Sequence, residues 1–317
     1  MTSQNYSDLA LPVVSAPMFL ASGPDLVIAA CRGGVIGAFP ALNQRSTQGY
    51  EAWLHQIEAG IAAGPEAGVA QCGPYAVNLA VHKSNQRLHA DLEVTVRHKV
   101  PIVITSLGAV QEVTDAIHSY GGKVFHDVVN LRQAEKMVAA GVDGIIAVCA
   151  GAGGHAGTLN PFAFLNELRQ LTDKTLILAG AISTGAQVAA AIAAGADLVS
   201  IGTRFIGTTD SPVVAGYKQM LIDSAAADIV YTPKLSGVNA NFLSKSLQQH
   251  GIDLSTYGHG GGMDLQEELG GGTGIKPWRD LWSAGQGVGA IRDIPSMSEL
   301  LRRMKSEYAA AVERLRR

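Results

Sequence analysis

Charge, cysteine and long apolar runs are all scarce in this chain, and each scarcity closes off a class of protein. Only 16% of its 317 residues are charged, and 24 Lys and Arg against 27 Asp and Glu leave a net charge of -3. Nucleic acid and anionic membranes are bound by clustered positive charge, so neither partner is expected. The three cysteines, Cys31, Cys72 and Cys149, are far apart with no Cys-x-x-Cys spacing. They offer neither a zinc framework nor a disulfide framework, and a reduced, cytoplasmic setting is expected. The first residues, MTSQNYSDLALPVVSAPM, lack the basic and then apolar stretches of a secretory signal. Apolar runs such as AQVAAAIAAGA are alanine-rich, broken by glycine and far short of the ~20 residues that span a bilayer.

What the chain does have is apolar residues, 47% of the total, enough for a large core. It is also rich in glycine, at 37 of 317 residues, or about 12% against a usual ~7%. No Gly-X-Y period accounts for these, so they belong to turns and close backbone approaches. Short β-branched runs at 13–16, 35–39, 75–78, 102–105, 123–128, 144–148, 175–179 and 198–202 read as strands. Helical patterns lie between them at 25–32, 50–63, 85–98, 110–120, 131–140, 161–171 and 185–194. Strands alternating with helices imply parallel pairing through right-handed crossovers, and eight such strands fit a (β/α)8 TIM barrel of the α/β class. A doubly wound sheet is the competitor. Its mark would be a glycine-rich loop after the first strand, where this chain has Ala16-Pro17-Met18. Two G-x-G-x-x-A matches, 151–156 and 285–290, lie elsewhere and arise easily by chance in a glycine-rich chain.

Beyond Asp210 the rhythm changes. An eighth helix is expected over 212–225, then a short strand at 229–231, a helix near 241–250 and a long glycine-rich loop over 251–276. An amphipathic helix over 296–317 carries Leu300, Leu301, Met304, Tyr308, Val312 and Leu315. The expected organisation is a barrel over 1–225, a smaller, mainly helical lobe over 226–295, and a C-terminal helix over 296–317 that packs back on the barrel.

Barrel chemistry sits at the C-terminal ends of the strands, with phosphate often held after strands seven and eight. Those loops contain Gly180, Ala181, Gly202 and Thr203, where glycine admits a close phosphate and Thr203 adds donors. The loop after strand six, Cys149-Ala150-Gly151-Ala152-Gly153-Gly154-His155, sets a histidine among small residues, suited to proton transfer or anion binding. His126 and Asp127 end strand five, so one of them is expected to face the cavity. Asn78, ending strand three, is either a turn residue or a hydrogen-bonding group for a heteroaromatic ring. The segment from Trp282 to Gly287 either returns to the barrel mouth or simply connects. His55, His89, His98 and His118 fall in helical stretches and are expected on the surface. No metal-ligand constellation, Gly-x-Ser-x-Gly elbow or Walker loop is readable. A phosphate-anchored organic cofactor remains.

The segments SAPMFLASGPDLVIAACRGGVIGAF, GVDGIIAVCAGAGGHAGT, LILAGAISTGAQVAAAIAAGADLVSIGTRFIGT and WSAGQGVGAIRDIPSMSELL resemble the nitronate monooxygenase family. That resemblance implies a TIM barrel with a small helical lobe and non-covalent FMN. By motif, it implies that Ala16, Pro17 and Met18 lie along the flavin, that Asn78 hydrogen-bonds it, and that Ala152, Gly153 and Gly154 line the ring edge. It likewise implies that Gly180, Ala181, Gly202 and Thr203 hold the phosphate, that Ser283 and Gln286 return toward the flavin, and that His155 is the active-site histidine. Two positions depart from the pattern. Ala181 replaces a glycine, which is harmless if its φ is negative. Asp127 stands where some relatives offer a lysine near the flavin pyrimidine, an awkward neighbour for an anionic reduced flavin.

The resemblance implies oxidation of alkyl nitronates, or of nitroalkanes, by O2 to carbonyl compounds and nitrite. One alternative is an NAD(P)H-dependent flavin reductase of quinones or enoyl thioesters, with His259 and Lys276 in the lid. A non-catalytic flavin-binding protein is the other. The Ala-rich helix faces suit a monomer or a homodimer alike.

Overall fold

In the computed structural model, residues 6–108, 111–256 and 274–317 are described. The chain opens with β1 (Val13–Ser15), β2 (Ile36–Pro40), β3 (Tyr75–Ala80), β4 (Ile102–Ser106), β5 (Lys123–Val128) and β6 (Gly144–Val148). A two-residue strand, β7 (Gly154–His155), is followed by β8 (Thr175–Ala179) and β9 (Leu198–Ile201). All of these except β7 form a closed parallel barrel in which β9 pairs with β1. Every strand expected from the sequence is present, with ends shifted by two residues at most.

The strand connections carry α1 (Pro24–Arg32), α2 (Thr47–Ala62), α3 (Leu88–Arg97), α4 (Gln111–His118), α5 (Leu131–Ala139), α6 (Pro161–Leu171) and α7 (Gly185–Ala193). Local chemistry fixes several starts. Asn130 caps α5, Asn160 caps α6 just before Pro161, and Thr184 with Gln187 forms a capping box on α7. Each such cap stabilises its helix by about 1 kcal/mol.

Side chains alternate across each strand, so the barrel has two cores. Inward positions include Val14, Ile36, Ala38, Ala76, Ile104, Phe125, Ile146, Ile177 and Leu198. Outward positions such as Val13, Phe39, Val77, Val124 and Val199 pack under the helices. Continuing the inward parity by one step brings Ala16, Asn78, Ser106, Asp127 and Ser200 to the C-terminal mouth, and all five line the cavity there. The alternation that fills the barrel with apolar side chains thus ends in a partly polar rung.

Past the barrel come α8 (Thr203–Ile206), α9 (Ala215–Ile222), β10 (Ile229–Thr232), β11 (Ala240–Leu243), α10 (Ser244–Gln249) and α11 (Met297–Leu315). The helix expected over 212–225 is shorter, because Val214 is still extended and serves as the N-cap. The helix expected near 241–250 begins as β11, and only its second half is helical. Leu243 and Leu247 mimic helical spacing, but β11 pairs antiparallel with both β10 and β7. β10, β11 and β7 therefore form a three-stranded sheet, and the short α10 follows β11. α11 packs across α7, and its Glu307 accepts a hydrogen bond from the Gly185 N–H at 2.7 Å. Its apolar stripe runs out at Leu315, which is 67% exposed. No helix among the described residues is long and apolar enough to cross a membrane.

Candidate functional site

A cavity of about 1430 Å3 opens over the C-terminal ends of the strands, walled on one side by the barrel and on the other by the lobe. That exceeds the ~300–1000 Å3 usual for a small-molecule site. On the barrel side, Ala16, Pro17 and Met18 follow β1. Ser22 holds this turn by accepting from the Met18 N–H at 3.0 Å and donating to the Ala16 carbonyl at 3.2 Å. Asn43 clamps it from the next connection, donating to the Met18 and Ser22 carbonyls and accepting from the Leu20 N–H. Leu20 has φ 60, a left-handed conformation held by that clamp.

His155 lies opposite. β7 is stitched to β11 with His155 beside Ala240, and the His155 ring meets Trp278 edge-on at 5.3 Å. Its Nε2 is buried without a hydrogen-bond partner among the described residues. Burial disfavours the charged form and pushes the imidazole down to about 4. A buried polar atom left unpaired in a cavity wall points to a ligand that completes it.

Ser283 anchors the loop that carries His155. Its hydroxyl accepts from the Gly154 N–H at 2.7 Å and donates to the Asn241 carbonyl at 2.6 Å. Tyr217 donates to the Ser283 carbonyl, and Asn241 donates to the Ala152 carbonyl at 2.7 Å. The next residues approach so closely that a Cβ on Gly285 would lie 2.4 Å from the Gly151 carbonyl oxygen. The 282–287 segment does return to the barrel mouth.

At the ends of β8 and β9, Gly180, Ala181, Gly202 and Thr203 all line the cavity. The Thr203 hydroxyl accepts from the Gly285 N–H at 2.8 Å, leaving its own proton to donate elsewhere. Ala181 has φ 54, not the negative value under which alanine would be harmless here. The left-handed conformation costs an L-residue about 1–2 kcal/mol, so strain is held where the backbone bends over the site.

The barrel floor offers Asn78 and Asp127. Asn78 Nδ2 donates to the Ile104 carbonyl at 3.2 Å and Ser106 at 3.4 Å, which leaves Oδ1 for a ligand. His126 and Asp127 both border the cavity. His126 bonds the Thr105 hydroxyl through Nδ1 at 2.8 Å, and burial pushes it down to about 4. Asp127 shows no polar partner among the described residues, and burial alone pushes it up to about 7.

Of the site residues expected from sequence, Ala16, Pro17, Met18, Asn78, Asp127, Ala152, Gly153, Gly154, His155, Gly180, Ala181, Gly202, Thr203 and Ser283 meet in this one cavity. Gln286 does not line it. It is exposed, and its N–H donates to the Gly151 carbonyl at 2.9 Å. Residues that sequence reasoning missed include Asn43, Tyr217, Asn241 and Trp278. They act across 21 to 123 positions of chain, and no local pattern marks them. Of the glycine-rich loop, residues 257–273 lie outside the described residues, His259 with them. Lys276 is described and does not line the cavity.

The profile of the family described as nitronate monooxygenase matches residues 4–307. The chain belongs to the nitronate monooxygenase family. It is a flavin-dependent oxidoreductase. A nitronate monooxygenase of Paraburkholderia phytofirmans is 27% identical over 96% of this chain and 94% of its own length. Among solved structures, FabK from Thermotoga maritima superposes with a TM-score of 0.80 at 23% identity, covering 98% of this chain and 96% of that one. The nitroalkane oxidase of Streptomyces ansochromogenes gives 0.79 at 24% identity, covering 98% and 99%. These two likenesses establish the shared barrel fold. The cavity suits a flavin: its volume is ample, small residues line the strand ends, and its floor is partly polar.

Proposed function

We propose that this chain is an FMN-dependent nitronate monooxygenase, oxidising alkyl nitronates with O2 to carbonyl compounds and nitrite. The carrying observation is the unpaired Nε2 of His155, buried in the wall of a cavity lined by the family's motif residues. Bound FMN would supply the oxidising equivalents and pass electrons on to O2. Gly180, Ala181, Gly202 and Thr203 would line its phosphate, with the Thr203 hydroxyl as a donor; the Ala181 N–H already donates to the Gly151 carbonyl at 3.3 Å. Ala16, Pro17 and Met18 would lie along the ring, with Ala152, Gly153 and Gly154 at its edge. Asn78 and Asp127 would meet its polar end. A carboxyl pushed up to about 7 is largely neutral below that pH, which removes much of the conflict between Asp127 and a negatively charged ring. Ser283 would act by fixing Gly154, since its hydroxyl is already bonded on both sides.

The His155 imidazole, pushed down to about 4, enters the reaction neutral. The ring would meet the nitro group in the cavity wall, and an arriving anion would favour protonation and strengthen that contact. A weak base removes a carbon-bound proton poorly, so preformed nitronates should outrun neutral nitroalkanes. The test is steady-state oxygen consumption with each form. Nitronate turnover at least equal to that of the nitroalkane is expected, and activity with the neutral form alone would overturn the reading.

A second reading is an NAD(P)H-dependent reductase of quinones or enoyl thioesters. It is favoured by cavity volume beyond the needs of a flavin and a small nitronate, with a wall extending to Gln133, Lys136 and Met137 of α5. Rapid anaerobic flavin reduction by NADH would select it.

A further inference from the structure

On the outside of the barrel, α2 and the end of α3 bring together side chains that the catalytic cavity does not use. Glu51, His55 and Glu58 stand on one face of α2 at spacings of four and three residues. His98, the C-cap of α3, meets them. Expected on the surface, His98 is instead only 7% exposed, because its ring lies against α2, with the His55 ring edge-on at 4.7 Å. Together with Arg97 these groups line a small pocket separate from the large one.

We propose that Glu51, His55 and His98 form a binding site for one divalent transition-metal ion of the zinc class. One ligand atom from each lies within 4.8 Å of the other two. In a tetrahedral zinc site with bonds of ~2.0–2.1 Å, ligand atoms are about 3.3 Å apart, so modest side-chain closure completes the set. Two imidazoles and a carboxylate select zinc, copper or nickel over magnesium or calcium.

The surroundings of His98 carry the argument further. Its Nδ1 lies 2.9 Å from Glu58 Oε1, which also accepts from the Tyr75 hydroxyl at 2.9 Å. A carboxylate on one ring nitrogen fixes the tautomer and turns the other nitrogen's lone pair outward, as a metal-binding histidine requires. That other nitrogen, Nε2, lies 3.5 Å from Glu51 Oε1, on the side where the ion would bind. Arg97 occupies the same carboxylate at 2.7 Å through a half-exposed ion pair. Such pairs are weak, and a divalent ion would displace the guanidinium. Glu51 and His55 share a helix while His98 is more than forty residues away, so sequence spacing does not reveal the site.

The test is calorimetric titration of zinc chloride into the untagged, flavin-loaded full chain in chelator-treated buffer, repeated with cobalt(II) followed by visible absorption. One equivalent should bind, with the cobalt band of a nitrogen- and oxygen-ligated ion. His55→Ala and His98→Ala should each abolish stoichiometric binding. Glu58→Gln should weaken it about 10- to 100-fold, and Arg97→Gln should tighten it. His55 is 70% exposed, so its variant decides the matter even if His98→Ala folds poorly. Absence of saturable binding in the parent chain, or binding unchanged in His55→Ala, would overturn the proposal.

Discussion

The floor and the roof of the cavity use one physical cause to opposite ends. On the floor, burial pushes the Asp127 carboxyl up to about 7; on the roof, it pushes the His155 imidazole down to about 4. Both groups are thereby driven toward their neutral forms, an acid that keeps its proton and a base with one ring nitrogen unprotonated. The floor is rigid barrel, where Asp127 continues the inward row of Phe125. The roof is assembled from distant pieces of chain and depends on Ser283, Asn241 and Trp278 to hold it. A site built this way has one wall set by local strand geometry and one set by long-range hydrogen bonds.

Removing the roof's imidazole should have the largest effect on turnover. His155→Ala is expected to lower kcat/KM for the nitronate about 10- to 100-fold, the loss of one charge-assisted hydrogen bond, while flavin stays bound, read by steady-state kinetics and the visible spectrum. Unchanged turnover would remove His155 from the chemistry. The floor is tested by stability against pH. The native Asp127 holds its proton more tightly than the unfolded chain does, so its contribution is full below 3.8 and lost as pH rises to about 7. Relative to Asp127→Asn, the parent should lose on the order of 4 kcal/mol across that window, from about three units at 1.36 kcal/mol each. His126 and His155 have the opposite slope between 6.5 and about 4, but both proteins keep them, so they cancel. Parallel urea-denaturation curves at every pH would contradict the buried, protonated carboxyl.

Smaller changes sharpen the contrast. Ser283→Ala deletes the hydroxyl that joins Gly154 to Asn241, and should cost about 2 kcal/mol in urea denaturation. It should also raise KM for the nitronate more than it lowers kcat, because the loop carrying His155 loosens. Ala181→Gly relieves a left-handed alanine and should stabilise the protein by about 1 kcal/mol. No gain there would mean that the bend after β8 is not strained.

The same division explains what could be read in advance. Barrel strands announce themselves through β-branched runs and helix-ending glycines, and parity along each strand carries Asn78 and Asp127 to the mouth. The loops after β8 and β9 were legible as part of the cavity because barrel strand ends lead to the mouth. The roof was not. β7 is two residues long, below any periodic signal, and β11 hides in a stretch whose leucines repeat as a helix's would. Trp278 reaches His155 across 123 residues, a pairing that only the folded chain creates. The sign of φ at Ala181 was equally invisible, since alanine rarely adopts a positive φ.

The most direct measurement mixes the purified, flavin-loaded protein anaerobically with propyl-2-nitronate and, separately, with NADH, following flavin absorbance by stopped flow. The expected result is rapid loss of the oxidised-flavin spectrum with the nitronate and little change with NADH. Rapid bleaching by NADH with an inert nitronate would contradict it and make the protein a reductase.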